Sequence, residues 1–86
     1  MKKIINPYIG HESDGYNCFA CAPHNPHGLK MEFYEENDDI VCFWTPDTHF
    51  EGWHNTLHGG IQATLIDETA GWLISRDVAA LVKLFS

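Results

Sequence analysis

Between Leu29 and Tyr34 the apolar residues Leu29, Met31 and Phe33 fall on one side of the chain and Lys30 and Glu32 on the other, the two-residue period of a half-buried strand. The polar run Glu35-Glu36-Asn37-Asp38-Asp39 reads as a turn, a loop of about five residues. It leads into Ile40-Val41-Cys42-Phe43-Trp44-Thr45, a β-branched and aromatic run that Pro46 stops. Together they predict a β-hairpin over residues 28–45. A loop over 46–57 follows, punctuated by Pro46, Gly52 and Asn55. Its aromatic pair, Phe50 and Trp53, either walls a ligand channel or packs onto the hairpin.

From residue 58 to 75 the period changes to that of a helix. At roughly 100° per residue, Ile61, Leu65, Ile66, Trp72 and Leu73 gather into one broad stripe, with no proline to interrupt them. Thr56 or Asn55 is placed to cap the start. The opposite side is small or apolar as well, with Ala63, Ala70, Gly71 and Ile74 around Asp67, so the helix is expected to be covered on most of its surface. Asp67 would then be a buried carboxylate. Such a group costs several kcal/mol unless something pairs with it or a function needs it.

Gly59-Gly60 at the helix start lets another group approach the backbone closely, and the first turn offers unpaired N–H groups to a developing negative charge. Gly59 and Asp67 are eight positions apart. That is about 12 Å of helix rise, so one helix cannot bring both to one bond. A two-fold dimer with antiparallel copies of the helix would set Gly59 of one chain beside Asp67 of the other. The alternative is structural: a tight helix start, and an aspartate satisfied by ordinary hydrogen bonds.

The ordered set Cys18-Phe19-Ala20-Cys21, Asn25-Pro26-His27-Gly28-Leu29, Phe50-Glu51-Gly52-Trp53, His58-Gly59-Gly60 and Leu65-Ile66-Asp67-Glu68 resembles the hotdog-fold acyl-CoA thioesterases of the phenylacetic-acid-degradation type. The resemblance runs from about Cys18 to about Ile74. It implies an α+β hotdog fold, an antiparallel sheet wrapped round a central helix, and hydrolysis of an acyl-CoA thioester in a homodimer or tetramer without a cofactor. In that scheme the Gly59 N–H holds the thioester carbonyl, aided by the helix dipole. Asp67 from the other protomer attacks the carbonyl or activates a water; the sequence leaves that choice open. His58 orients the substrate or fixes the loop, and Gly60, Thr64, Glu68 and Gly71 are the implied substrate-binding positions.

With 86 residues the chain has room for about half of a hotdog sheet, so it is read as one partial domain, an N-terminal portion. Residues 1–27 form its leading segment, and residues 76–86 are expected to start a further strand, although 78–85 read equally as a prolonged helix. In this short form the chain is expected to be inactive on its own. The alternative is a non-catalytic remnant or an interaction subunit, whose exposed sheet edge pairs with another chain.

The formal charge of −7, from 12 acidic and 5 basic residues, argues against a nucleic-acid surface. It also disfavours an anion such as coenzyme A, which would need local donors such as the helix start or Lys30. No segment reads as a membrane span, and Asn6-Pro7 ends the apolar run after Met1 too soon for a signal peptide. A cytoplasmic location follows by default. Three cysteines make no even disulfide framework. Cys18 and Cys21 are nonetheless spaced as C-x-x-C, and His24 and His27 continue the rhythm, so a small zinc module on these four is the rival reading. Against it stand very short loops restricted by Pro23 and Pro26. The remaining histidines, His11, His49 and His54, lie in loop-like sequence, and no Ser-His-Asp or Cys-His nucleophile stands out.

Overall fold

The computed structural model describes the backbone of residues 1–85 and the side chains of residues 1–77. Its architecture is α+β: a three-stranded antiparallel sheet of β1 (Lys2–Lys3), β2 (Tyr34–Glu36) and β3 (Asp39–Val41), and one helix, α1 (Gly59–Phe85). β2 is central. Lys2 and Lys3 pair with Glu35 and Tyr34, and Tyr34, Glu35 and Glu36 pair with Val41, Ile40 and Asp39.

The hairpin is tighter than its charge pattern suggests. Glu35, Glu36 and Asp39 join the ladder, which leaves Asn37 and Asp38 as a two-residue turn in place of the expected five-residue loop. Asn37 supplies the left-handed backbone, φ 56°, that such a turn uses and asparagine tolerates. Acidic side chains can leave a strand for solvent, whereas backbone N–H and C=O groups gain by pairing.

The alternation over Leu29–Phe33 is realised as burial: Leu29, Met31 and Phe33 are buried and Lys30 and Glu32 exposed. Much of this segment bonds to the leading segment rather than to the sheet, with Leu29 N–H on Phe19 O at 2.8 Å and Met31 N–H on Ala20 O at 2.9 Å. Gly28 permits that approach, since a Cβ there would meet Phe19 O at 2.7 Å. Ala20, Cys21, Leu29, Met31, Phe33 and Phe50 form the core. Ile40, Cys42 and Trp44 pack on it from the second arm of the hairpin, and the Trp44 indole N–H donates to Leu29 O at 2.8 Å.

Helix α1 closes the core from one side. Ile61, Leu65 and Trp72 pack inward, and Trp72 stacks on Phe33 with ring centres 5.3 Å apart. The helix continues to Phe85, so the boundary expected at residue 75 and the further strand expected over 76–86 are both replaced by helix as far as the backbone is described. The side chains of 78–86 lie outside the described residues. A second expectation is also corrected. The helix is not covered all round: Ile66 and Ile74 are 72% and 63% exposed, and Asp67 is exposed rather than buried. One thin sheet and its loops can cover only one flank of a helix.

Candidate functional site

The start of α1 is built by His58. Its ring Nδ1 accepts the Gly60 N–H at 2.9 Å, and its carbonyl accepts the N–H groups of Ile61 and Gln62, both at 3.0 Å. His58 therefore caps the helix, where Thr56 or Asn55 was expected. Thr56 Oγ1 donates instead to His54 O at 3.5 Å, and the Asn55 side chain makes no hydrogen bond to the helix start among the described residues. A Cβ on Gly60 would stand 3.1 Å from the capping nitrogen, so the ring sits closely over that glycine. Gly59 has open space around it, and its N–H has no acceptor among the described residues.

Asp67 lies two turns further on, about 12 Å along the axis. Its carboxylate is exposed and makes no hydrogen bond or ion pair among the described residues. The chain thus brings His58 and Gly60 together and keeps Gly59 and Asp67 apart. Thr64 turns its hydroxyl back onto Gly60 O at 2.9 Å. Of the loop aromatics, Phe50 packs in the core against Trp44, whereas Trp53 is 88% exposed.

Glu68, next to Asp67, takes the opposite direction. Its Oε1 accepts the Trp72 indole N–H at 3.2 Å and lies 3.9 Å from the Cys18 thiol. The Cys18 and Cys21 sulfurs and a Glu68 oxygen all lie within 4.8 Å of one another. The cluster borders a cavity of about 260 Å³, lined also by Tyr8, Tyr16, Gly71 and Trp72. Cys21 and Tyr16 touch at 3.2 Å from sulfur to hydroxyl, and Asn6 Nδ2 donates to the same hydroxyl at 2.8 Å. Loss of water contact pushes the Cys21 thiol up to about 12. The Tyr16 phenol rises to about 12, chiefly for the same reason.

The four-residue set Cys18, Cys21, His24 and His27 is not assembled. His24 donates from Nε2 to Tyr16 O at 2.7 Å, its Nδ1 is 3.8 Å from Glu12, and His27 is exposed. Glu68 in their place was readable: it falls in the series Ile61, Leu65, Glu68, Trp72, a carboxylate on the core-facing stripe. A separate cavity of about 380 Å³ is bounded by Ile4, Met31, Phe33 and Trp72, with Lys3 and Lys30 also on its wall.

Compared with known proteins, the chain matches no family model, and no curated protein or solved structure is significantly similar to it. No helix among the described residues is long and apolar enough to cross a membrane.

Proposed function

We propose, against the expectation that the short chain is inactive on its own, that it supplies half of each of two acyl-CoA thioesterase sites, completed when two copies pair through the open flank of α1. The observation that carries this reading is the pairing of a free Gly59 N–H with a free Asp67 carboxylate on one helix, neither engaged among the described residues. In an antiparallel pair the N–H of one copy faces the aspartate of the other. The thioester carbonyl oxygen accepts the Gly59 N–H, which stabilises the negative charge that develops as the carbonyl is attacked. Asp67 of the other copy acts on the carbonyl carbon, directly or through a water whose proton it takes, and the thiolate of coenzyme A leaves. His58 holds the turn that aims the N–H. The sequence resemblance to hotdog thioesterases and the exposed Ile66 and Ile74 beside Asp67 support the same arrangement.

Release of free thiol from a panel of acyl-CoA esters tests it. Asp67→Asn is expected to lower turnover by about 10²–10⁴, the usual worth of a positioned acid–base group, with the melting temperature unchanged. Gly59→Pro removes the N–H at a position where helices accept proline, and is expected to cost about 10²–10³. Mixing the two inactive variants is the decisive step. Half of the dimers then carry one intact composite site, so activity returns to about a quarter of the wild-type level. Full turnover by Asp67→Asn, no turnover by the wild type, or no recovery on mixing would overturn the proposal.

A further inference from the structure

We propose that Cys18, Cys21 and Glu68 form a three-ligand site for a thiophilic divalent cation, Zn²⁺, which clamps the leading segment onto α1. The residues are far apart in sequence, fifty positions between Cys18 and Glu68, yet the fold brings their ligand atoms within 4.8 Å of one another. In tetrahedral zinc sites, bond lengths of about 2.3 Å to sulfur and 2.1 Å to oxygen place ligand atoms about 3.6–3.8 Å apart. A contraction of about 1 Å, within reach of side-chain rotation, therefore converts the cluster into a coordination shell.

The C-x-x-C turn is already arranged for this. The Cys21 N–H points at Cys18 Sγ, 3.3 Å away, and the Ala22 N–H bonds to Cys18 O at 3.2 Å, so the two sulfurs are carried on one tight turn. The turn is fixed in the core by Ala20, Cys21 and Ala22, all buried, and by the backbone bonds from Leu29 and Met31. On the other side, Trp72 orients Glu68 through its indole N–H, the outer-shell contact that metal-bound carboxylates commonly have.

The donor set selects the metal. Two sulfurs disfavour Mg²⁺ and Ca²⁺, the carboxylate disfavours Cu⁺, and the mixture suits Zn²⁺. The bordering cavity of about 260 Å³ leaves room for water as the fourth ligand. On binding, the two S–H bonds give up their protons to solvent, and two Zn–S bonds and one Zn–O bond form; nothing is oxidised or reduced. The site shares no ligand with Gly59 or Asp67; Glu68, a substrate-binding position in the hotdog resemblance, turns instead toward Trp72 and the two thiols, so metal titration decides this site without reference to thioester turnover.

The test uses the whole chain, reduced and stripped with a chelator, then titrated with Co²⁺ and with Zn²⁺. Co²⁺ is expected to give the intense near-ultraviolet band of thiolate-to-cobalt charge transfer, displaced by Zn²⁺, and Zn²⁺ is expected to raise the melting temperature. Glu68→Gln, close to isosteric and able to keep the Trp72 contact, is expected to weaken Co²⁺ binding at least about tenfold with the far-ultraviolet circular dichroism unchanged. Cys18→Ser is expected to reduce the band sharply. His24→Gln with His27→Gln is expected to leave it intact. No thiolate band in the wild-type chain, undiminished affinity in Glu68→Gln, or loss of the band in the histidine variant would overturn the site.

Discussion

The two flanks of α1 are the same helix in two different situations. On the inner flank Ile61, Leu65 and Trp72 meet Phe33 and the core, and the polar member of that stripe, Glu68, has a partner in Trp72. On the outer flank Ile66 and Ile74 are exposed, and Asp67 and the Gly59 N–H have no partner among the described residues. The inner flank is finished by its own chain. The outer flank exposes large apolar residues beside an unpaired carboxylate and a free backbone donor, a combination that suits recognition better than packing.

The sharpest way to break the comparison is to substitute one residue on each flank. Phe33 is 3% exposed and stacks on Trp72, so Phe33→Ala is expected to cost about 3–5 kcal/mol, a large share of the stability of a domain this small. Ile74→Ala on the outer flank is expected to change stability by about 0.5 kcal/mol or less. Urea denaturation followed by circular dichroism measures both. Equal losses would mean that the outer flank is packed in the folded protein, and the contrast would collapse.

A smaller effect separates folding from association. If the outer flank is a contact between two copies, Ile66→Lys with Ile74→Lys places four like charges across a two-fold interface. The dimer is then expected to weaken at least about tenfold, while the circular dichroism of the dilute chain stays the same. Sedimentation equilibrium at several concentrations reads the first quantity. A variant that associates as tightly as the wild type would move the contact surface away from α1, and with it the composite site.

The same contrast explains how much could be read from the sequence. The inner flank was legible because burial imposes a period: Leu29, Met31 and Phe33 alternate, and Ile61, Leu65 and Trp72 recur at helical spacing. The outer flank was misread for a physical reason. Ala63, Ala70 and Gly71 are small, and small residues suit a buried helix and an open one equally, so they could not show that Asp67 faces solvent. Turn and cap details escaped for another reason. Backbone pairing drew Glu35, Glu36 and Asp39 into the hairpin despite their charge, and His58 capped the helix through a ring nitrogen where an oxygen side chain is the usual choice. At the C-x-x-C pair, spacing found Cys18 and Cys21. The rival four-residue set added His24 and His27, which are near in sequence, whereas Glu68 is near only in space.

The smallest effect lies where α1 meets the hairpin turn. Arg76 Nη2 donates to Asp38 O at 3.2 Å, its Nη1 stands 3.5 Å from Glu35 Oε1, and its Nε donates to Asp77 Oδ1 at 3.1 Å. The hydrogen bond it donates to Asp77, reinforced by the charges of Asp77 and Glu35, holds the guanidinium above its ordinary value, so it stays charged at every working pH. Water reaches both Arg76 and Glu35, which limits what the pair contributes. Arg76→Ala is therefore expected to lower the melting temperature by only about 2–5 °C. Salt divides that shift into its parts. At about 1 M the screening length falls to about 3 Å, which removes most of the attraction to Glu35 and leaves the bond to Asp38 O largely intact. The gap between wild type and Arg76→Ala should narrow with salt without closing. A larger, salt-independent gap would mean that Arg76 acts through the packing of its stem against the hairpin rather than through its charge, and the finished inner flank would extend one turn further along the helix.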